Sequence, residues 1–213
     1  MCLDDDAVGA QDPVVDSVSL TFYENGWRGV HVEPVPEYAE RLRIARPDEQ
    51  VIEAIVDVQT GGRVFYEFPG TGLSTGSRRI AERHAKSGLE FREVSVPCLP
   101  LSTILDSHGK RDIHWLKIDV EGMEHEVLGG LSSAIEVVSF EFIPSALTSA
   151  LASIGRLEEL GRYELNISLG ESLELVFDHW QDEDALRRWL ATREPDSDSG
   201  DVYARLIRAK SDA

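Results

Sequence analysis

The run Trp115-Leu116-Lys117-Ile118-Asp119-Val120-Glu121-Gly122 sets three ionisable side chains on alternate positions of an apolar stretch and then breaks at a glycine. Residues 113–118 read as a buried strand, so Asp119 and Glu121 fall at its carboxyl end, where a substrate hydroxyl, an amine or a metal ion could meet them. The same two carboxylates would also serve as caps of the helix that follows, whose core face is Met123, Val127, Leu128 and Leu131. Lys117 inside an apolar strand needs an anionic partner, and Asp119 and Glu141 are the candidates.

A second constellation lies nearer the start. Gly9 precedes Glu33 by 24 residues, and Glu33 closes a strand-like run, Trp27 to Glu33. That is the spacing of a nucleotide site, in which a glycine turn admits the ligand and an acidic side chain accepts from ribose hydroxyls. A turn glycine and a solvated glutamate would give the same letters. The further glycines of a dinucleotide loop are missing and Pro13 occupies the loop exit, so a nucleoside without a pyrophosphate fits better, and a nicotinamide-dependent dehydrogenase is disfavoured. The histidines, at 31, 84, 108, 114, 125 and 179, show no metal-ligand spacing, although His125 stands one turn after Glu121 as a possible acid or base. No nucleophile elbow, phosphate-binding P-loop or C-x-x-C is present.

These residues need elements to hold them, and the chain supplies short β-branched runs alternating with amphipathic stretches, the pattern of a parallel sheet with crossover helices. Asp12-Pro13 predicts a helix start, with Val14, Val15, Val18 and Phe22 on its apolar face and Asn25-Gly26 at its end. Pro36 to Arg46 predicts a second helix, Val51 to Val56 a third strand, and Arg63 to Phe68 another. Residues 69–76 are loop-forming, 77–87 helical, Phe91 to Val96 a strand, and Leu101 to Leu105 a short helix. Ala134 to Phe142 reads as a strand and about 145–160 as a helix. Arg162 to Ser168 and Leu173 to Phe177 read as a hairpin joined at Gly170-Glu171-Ser172; 182–192 follow as a helix and Val202 to Ile207 as an edge strand. In such a sheet, ligands bind beyond the carboxyl ends of the strands. This directs attention to residues 9–12, Glu33, the Ala54 to Asp57 region, and Asp119 to Glu121.

The 213 residues carry 39 acidic against 21 basic side chains, a formal charge of -18, with 42% hydrophobic residues. One sizeable domain over 1–213 is expected. The acidic field disfavours nucleic-acid and anionic-membrane partners. Two cysteines, Cys2 and Cys98, cannot build a disulfide framework or a structural zinc site, which fits a cytoplasmic location. Neither a membrane span nor a signal segment is recognisable.

Four blocks taken in order carry a resemblance. They are Gly9-Ala10-Gln11-Asp12-Pro13-Val14-Val15-Asp16-Ser17, Gly26-Trp27-Arg28-Gly29-Val30-His31-Val32-Glu33-Pro34-Val35-Pro36, Thr71-Gly72-Leu73-Ser74-Thr75, and above all Leu116-Lys117-Ile118-Asp119-Val120-Glu121-Gly122-Met123-Glu124. Over residues 7–142 the chain resembles the FkbM family of S-adenosylmethionine-dependent methyltransferases, and residues 143–213 resemble a C-terminal extension that completes the sheet.

The resemblance implies a class I methyltransferase (Rossmann-like) α/β fold: a doubly wound, mostly parallel seven-stranded sheet with a C-terminal antiparallel hairpin. It implies S-adenosylmethionine as cofactor and a hydroxyl of a sugar or secondary metabolite as acceptor. By the same resemblance Gly9 and Ala10 lie beneath the methionine moiety, Glu33 holds the ribose, and Ala54 and Asp57 flank the adenine. Asp119, Glu121 and Lys117 face the methyl group and the acceptor, with magnesium as a candidate ion between the carboxylates. One position departs: the family's first strand usually ends in aspartate, and here Ala7 follows Leu3-Asp4-Asp5-Asp6. Consecutive aspartates suit the buried centre of a parallel sheet poorly. The first strand is therefore expected to be truncated or degenerate, with a non-catalytic, methyltransferase-like binding domain as the alternative function.

Overall fold

The computed structural model describes residues 4–15, 17–107, 113–170, 172 and 174–209. Cys2, Asp16, His108, Glu171 and Leu173 lie outside them. The strands are β1 (Asp4–Val8), β2 (Arg28–Val32), β3 (Gln50–Ile52), β4 (Ile55–Val56), β5 (Gly61–Glu67), β6 (Arg92–Leu99), β7 (Ile113–Ile118), β8 (Val137–Phe142), β9 (Gly161–Leu169) and β10 (Gly200–Ala209). The helices are α1 (Val18–Glu24), α2 (Pro36–Ala45), α3 (Arg78–Lys86), α4 (Leu101–Ser107), α5 (Glu124–Gly129), α6 (Leu147–Leu160) and α7 (Glu183–Leu190).

Seven strands form one sheet in the order β3-β2-β1-β7-β8-β10-β9. The neighbours from β3 to β8 pair in parallel, and β10 runs antiparallel to both β8 and β9. Central strands are apolar on both faces, as burial under helices on each side demands: Val8, Leu116, Ile118, Val138 and Phe140 are all buried in the main core with Val127, Leu128, Ile154 and Leu157 of the covering helices. A second sheet, β4-β6-β5, stands apart from the first.

The first strand is neither truncated nor degenerate. All five residues of β1 pair with β2 on one side and β7 on the other, and Asp5 and Asp6 are 4% and 5% exposed. The aspartates are tolerated because tertiary partners absorb their polarity. Asp6 Oδ1 accepts from the Val30 amide at 3.0 Å. Asp5 is pushed up to about 7, first by burial and then by the neighbouring Glu49 and Asp6, so much of its population near neutrality is the cheaper, uncharged acid. Gly29 makes room: a Cβ there would lie 1.4 Å from the Asp5 carbonyl oxygen.

Behind these strands the fully buried Arg46 donates to Ser19 Oγ (2.9 Å), Ser17 Oγ (2.8 Å) and the Pro13 carbonyl (3.0 Å), and stands 3.0 Å from His31 Nε2. His31 in turn contacts Glu49 at 2.7 Å. The anchoring of Pro13 and Ser17 to Arg46 accounts for a second difference. Asp12 Oδ1 does cap the Val14 and Val15 amides, both at 2.9 Å, yet the regular helix begins only at Val18, and Val14 and Val15 are exposed.

Two further expectations are corrected. The single strand predicted over 51–56 is split: β3 pairs with β2, the chain kinks at Glu53-Ala54, and β4 joins β6 in the second sheet. In the C-terminal part, β9 takes β10 as its antiparallel partner, and segment 174–177 contributes only an isolated bridge, Ser168 to Leu175. The strand expected at the edge is interior. Val202 and Ala204 are fully buried, and Gly200 permits close approach because a Cβ there would meet the Ser168 carbonyl at 2.1 Å.

Candidate functional site

Sheet register explains why residues so far apart in sequence converge. Val32 pairs with Val8, Val8 with Ile118, and Ile118 with Phe140, so β2, β1 and β7 end in line and β8 runs two residues past them. The residues just past the three ends are Glu33, Gly9 and Asp119, and Glu141, still within β8, continues the row along the carboxyl edge of the sheet. The row spans the switch point at β1, from which the chain first builds outward through β2 and β3 and then returns to β7 on the other side.

Gly9 has φ +78°, and a Cβ on it would lie 1.7 Å from the Asp119 carbonyl oxygen, so only glycine fits between the two strand ends. Its amide donates to the Val32 carbonyl at 2.9 Å, and the Ala10 amide to the same oxygen at 3.3 Å. Glu33 is 2% exposed; its two oxygens accept from the Gln11 amide (2.8 Å) and the Val35 amide (2.7 Å). Burial raises its carboxyl to about 7 against the opposing pull of those two amides.

Beside this row is a cleft of about 560 Å³, part of it open to solvent. Glu33, Gly9, Gln11 and Asp119 supply its polar side. Ala54, Ile55, Phe65 and Tyr38 supply an apolar wall built from the second sheet and α2. Of the predicted cofactor residues, Gly9, Glu33 and Ala54 line the cleft. Ala10 stands in the loop beside it. Asp57 does not line it: buried at the end of β4, it pairs with Arg63 of β5.

The acceptor-side residues gather on the β7 and β8 ends. Lys117 Nζ sits 2.7 Å from Asp119 Oδ2. Burial works against the lysine's charge, but Asp119, Asp201 and Glu141 outweigh it and raise Lys117 above the usual lysine range. Glu121 is pushed up to about 8 by burial, then by Asp119 and Glu124. Glu124 is raised to about 7 by burial while holding the Gly122 amide (2.8 Å) and the Ser149 hydroxyl (2.9 Å). Burial and four acidic neighbours, Glu121 first, lift Glu141 well above the carboxylate range. One oxygen each of Asp119, Glu121 and Glu141 lies within 4.8 Å of the others, a hard-oxygen donor set of the kind magnesium takes.

The sequence offers Glu141 only as a partner for Lys117, places Gln11 in the 9–12 loop without a role, and gives Glu124 none. Glu141 is reached through register, as the β8 residue level with Asp119. Gln11 and Glu124 carry no local signal; tertiary hydrogen bonds bring them to the site.

The seven-stranded order with one reversed strand is the class I methyltransferase arrangement. The family comparison agrees: residues 7–182 match the methyltransferase FkbM domain, and the chain belongs to that family. No curated protein matches the chain. Among solved structures, it is similar to a precorrin-6y C5,15-methyltransferase from Geobacter metallireducens GS-15, with 14% identity, 95% of this chain and 78% of that one covered, and a TM-score of 0.42. It is also similar to an S-adenosylmethionine-dependent O-methyltransferase from Thermotoga maritima, with 10% identity, 98% of this chain covered and a TM-score of 0.48; the chain spans 61% of that protein's length. No helix among the described residues is long and apolar enough to cross a membrane.

Proposed function

We propose that the chain transfers the methyl group of S-adenosylmethionine to a hydroxyl oxygen of a carbohydrate or small secondary metabolite. The observation that carries this reading is the placement of Glu33 and Asp119 on one cleft, on either side of Gly9. When bound, S-adenosylmethionine supplies a methyl group already activated by its sulfonium. The protein's work is then alignment and removal of one proton. Glu33 keeps lone pairs for the ribose hydroxyls. Gly9 and Ala10 leave the backbone bare beneath the methionine moiety, and Ala54, Ile55 and Phe65 form the adenine wall, with Asp57 and Arg63 bracing it from behind.

Asp119 orients the acceptor hydroxyl, held in place by Lys117. Asp119 takes the proton, or Glu121 does so in its deprotonated form, which burial confines to pH values near and above about 8. Magnesium, if taken up, would be held by Asp119, Glu121 and Glu141 and would supply charge to the acceptor oxygen.

Calorimetric titration with S-adenosylmethionine and S-adenosylhomocysteine tests the reading. Saturable binding in the micromolar range is expected, and no binding at millimolar cofactor overturns it. Activity on a hydroxylated acceptor, assayed with magnesium and with a chelator, then decides the oxygen specificity and the ion.

A further inference from the structure

Among the described residues, two that are not glycine adopt a left-handed backbone: Gln11 (φ 49°) and Glu121 (φ 54°). Each stands two places beyond a strand-end residue of the site, Gly9 and Asp119. Such conformations persist in side-chain-bearing residues only where surrounding contacts hold them, and they gather at functional sites. Here both are held by one short segment. Gln11 Nε2 donates to the Gly72 carbonyl at 2.7 Å, and Thr75 Oγ1 donates to the Glu121 carbonyl at 2.8 Å.

The segment is itself fixed. Thr75 is fully buried and exchanges two backbone hydrogen bonds with Tyr66 of β5, at 2.9 and 3.0 Å, and its hydroxyl accepts from the Ser77 amide at 3.0 Å. Its glycines bring it against the site without intervening side chains. A Cβ on Gly72 would sit 2.8 Å from Gln11 Nε2, and one on Gly76 would sit 2.3 Å from the Met123 sulfur. The Gln11 backbone N–H in turn donates to Glu33.

We infer that residues 72–76 form a strap that sets Glu33, on one side of the cleft, together with the 119–121 turn on the other, with Gln11 and Thr75 as positioning residues. The inference rests on the methyltransferase reading for its consequence: cofactor affinity depends on Thr75, which does not line the cleft, because the strap passes a change at Glu121 to Gln11 and so to Glu33.

The test measures S-adenosylhomocysteine affinity by calorimetry in Thr75→Val, Thr75→Ser, Gln11→Leu and the Thr75→Val/Gln11→Leu double variant. Thr75→Val is expected to weaken binding about fivefold or more, Thr75→Ser to restore it to within about twofold, and the double variant to lose less than the product of the single losses, as coupled positions do. Equal affinity of Thr75→Val and the parent, or losses that multiply, overturns the strap.

Failure of the parent to bind sinks the methyltransferase reading instead, and hydrogen exchange then judges the strap. Faster exchange at both 10–12 and 120–122 in either single variant supports it, and exchange confined to the mutated side overturns it. If Thr75→Val does not fold, the same exchange measurement on Gln11→Leu decides.

Discussion

Lys117 and Asp119 point to the same side of one strand, two residues apart, and meet at 2.7 Å. The lysine thus holds the carboxylate on which the acceptor reading depends, in a neighbourhood that also contains Glu121, Glu124 and Glu141. Replacing Lys117 by Met is expected to cost ~1–3 kcal/mol, below the usual loss for a buried pair because both side chains keep some solvent contact. The loss should be larger at pH 8 than at pH 5, since the raised acids around it are protonated at the lower pH. Denaturant unfolding at the two pH values measures this, and an equal loss at both would contradict the cluster as described.

The buried acids set the pH dependence of the whole fold. Asp5, Glu33 and Glu124 are raised to about 7, and Glu121 to about 8. A raised carboxyl binds its proton more tightly folded than unfolded. Between the unfolded values near 4 and the folded values, the native state therefore holds more protons, and stability falls as pH rises. Thermal unfolding should show a higher midpoint at pH 5 than at pH 8. Asp5→Asn should flatten the slope and melt about 5 °C or more above the parent at pH 8.

Gly9 and Gly26 have similar left-handed φ angles, +78° and +88°, and opposite surroundings. A Cβ on Gly26 meets nothing within 4 Å, whereas one on Gly9 runs into the Asp119 carbonyl. Gly26→Ala should cost ~1–2 kcal/mol, the backbone penalty alone. Gly9→Ala should cost well beyond that and abolish cofactor binding in whatever protein folds. Comparable unfolding midpoints for the two variants would sink the close-approach argument.

Glu33→Gln removes the charge while keeping one acceptor oxygen. A loss of ~1–3 kcal/mol in S-adenosylhomocysteine binding is expected, with a lowered melting temperature, because the new NH2 group faces the Gln11 or Val35 amide that the lost oxygen accepted from. With its carboxyl near 7, the parent should bind more tightly at pH 8 than at pH 6, because the deprotonated form offers both oxygens to the ribose. Calorimetry across this range should give a flat profile for Glu33→Gln.

The parts of the fold legible in the sequence are those whose cause is local. β7 is six residues of apolar strand ended by Asp119, and α2 opens on a proline at its first position. Both lie where the letters place them, and so does the end of β2 just before Glu33. The misread parts have distant causes. Asp5 and Asp6 look foreign to a central strand until Gly29, the Val30 amide and the Arg46 network are seen around them. Val51 and Val56 read as one strand because nothing near Glu53 announces that the chain changes sheets. The site divides in the same way: Glu33 and Asp119 announce themselves by position, whereas Gln11 matters only through Glu33 and Gly72.

The place of β10 has a consequence for how the molecule is made. β9 leaves the ribosome before β10, yet the two are not interchangeable in space, because β10 must lie between β8 and β9. Until residues 200–209 have been synthesised, β8 exposes an unpaired edge, and unpaired edges invite association with other chains. That edge carries Glu141, and the residue that closes on it is Asp201, its register partner. The acidic corner of the site is thus completed only once Asp201 has been made, so a nascent chain stalled before Gly200 would present an open sheet and an unfinished site.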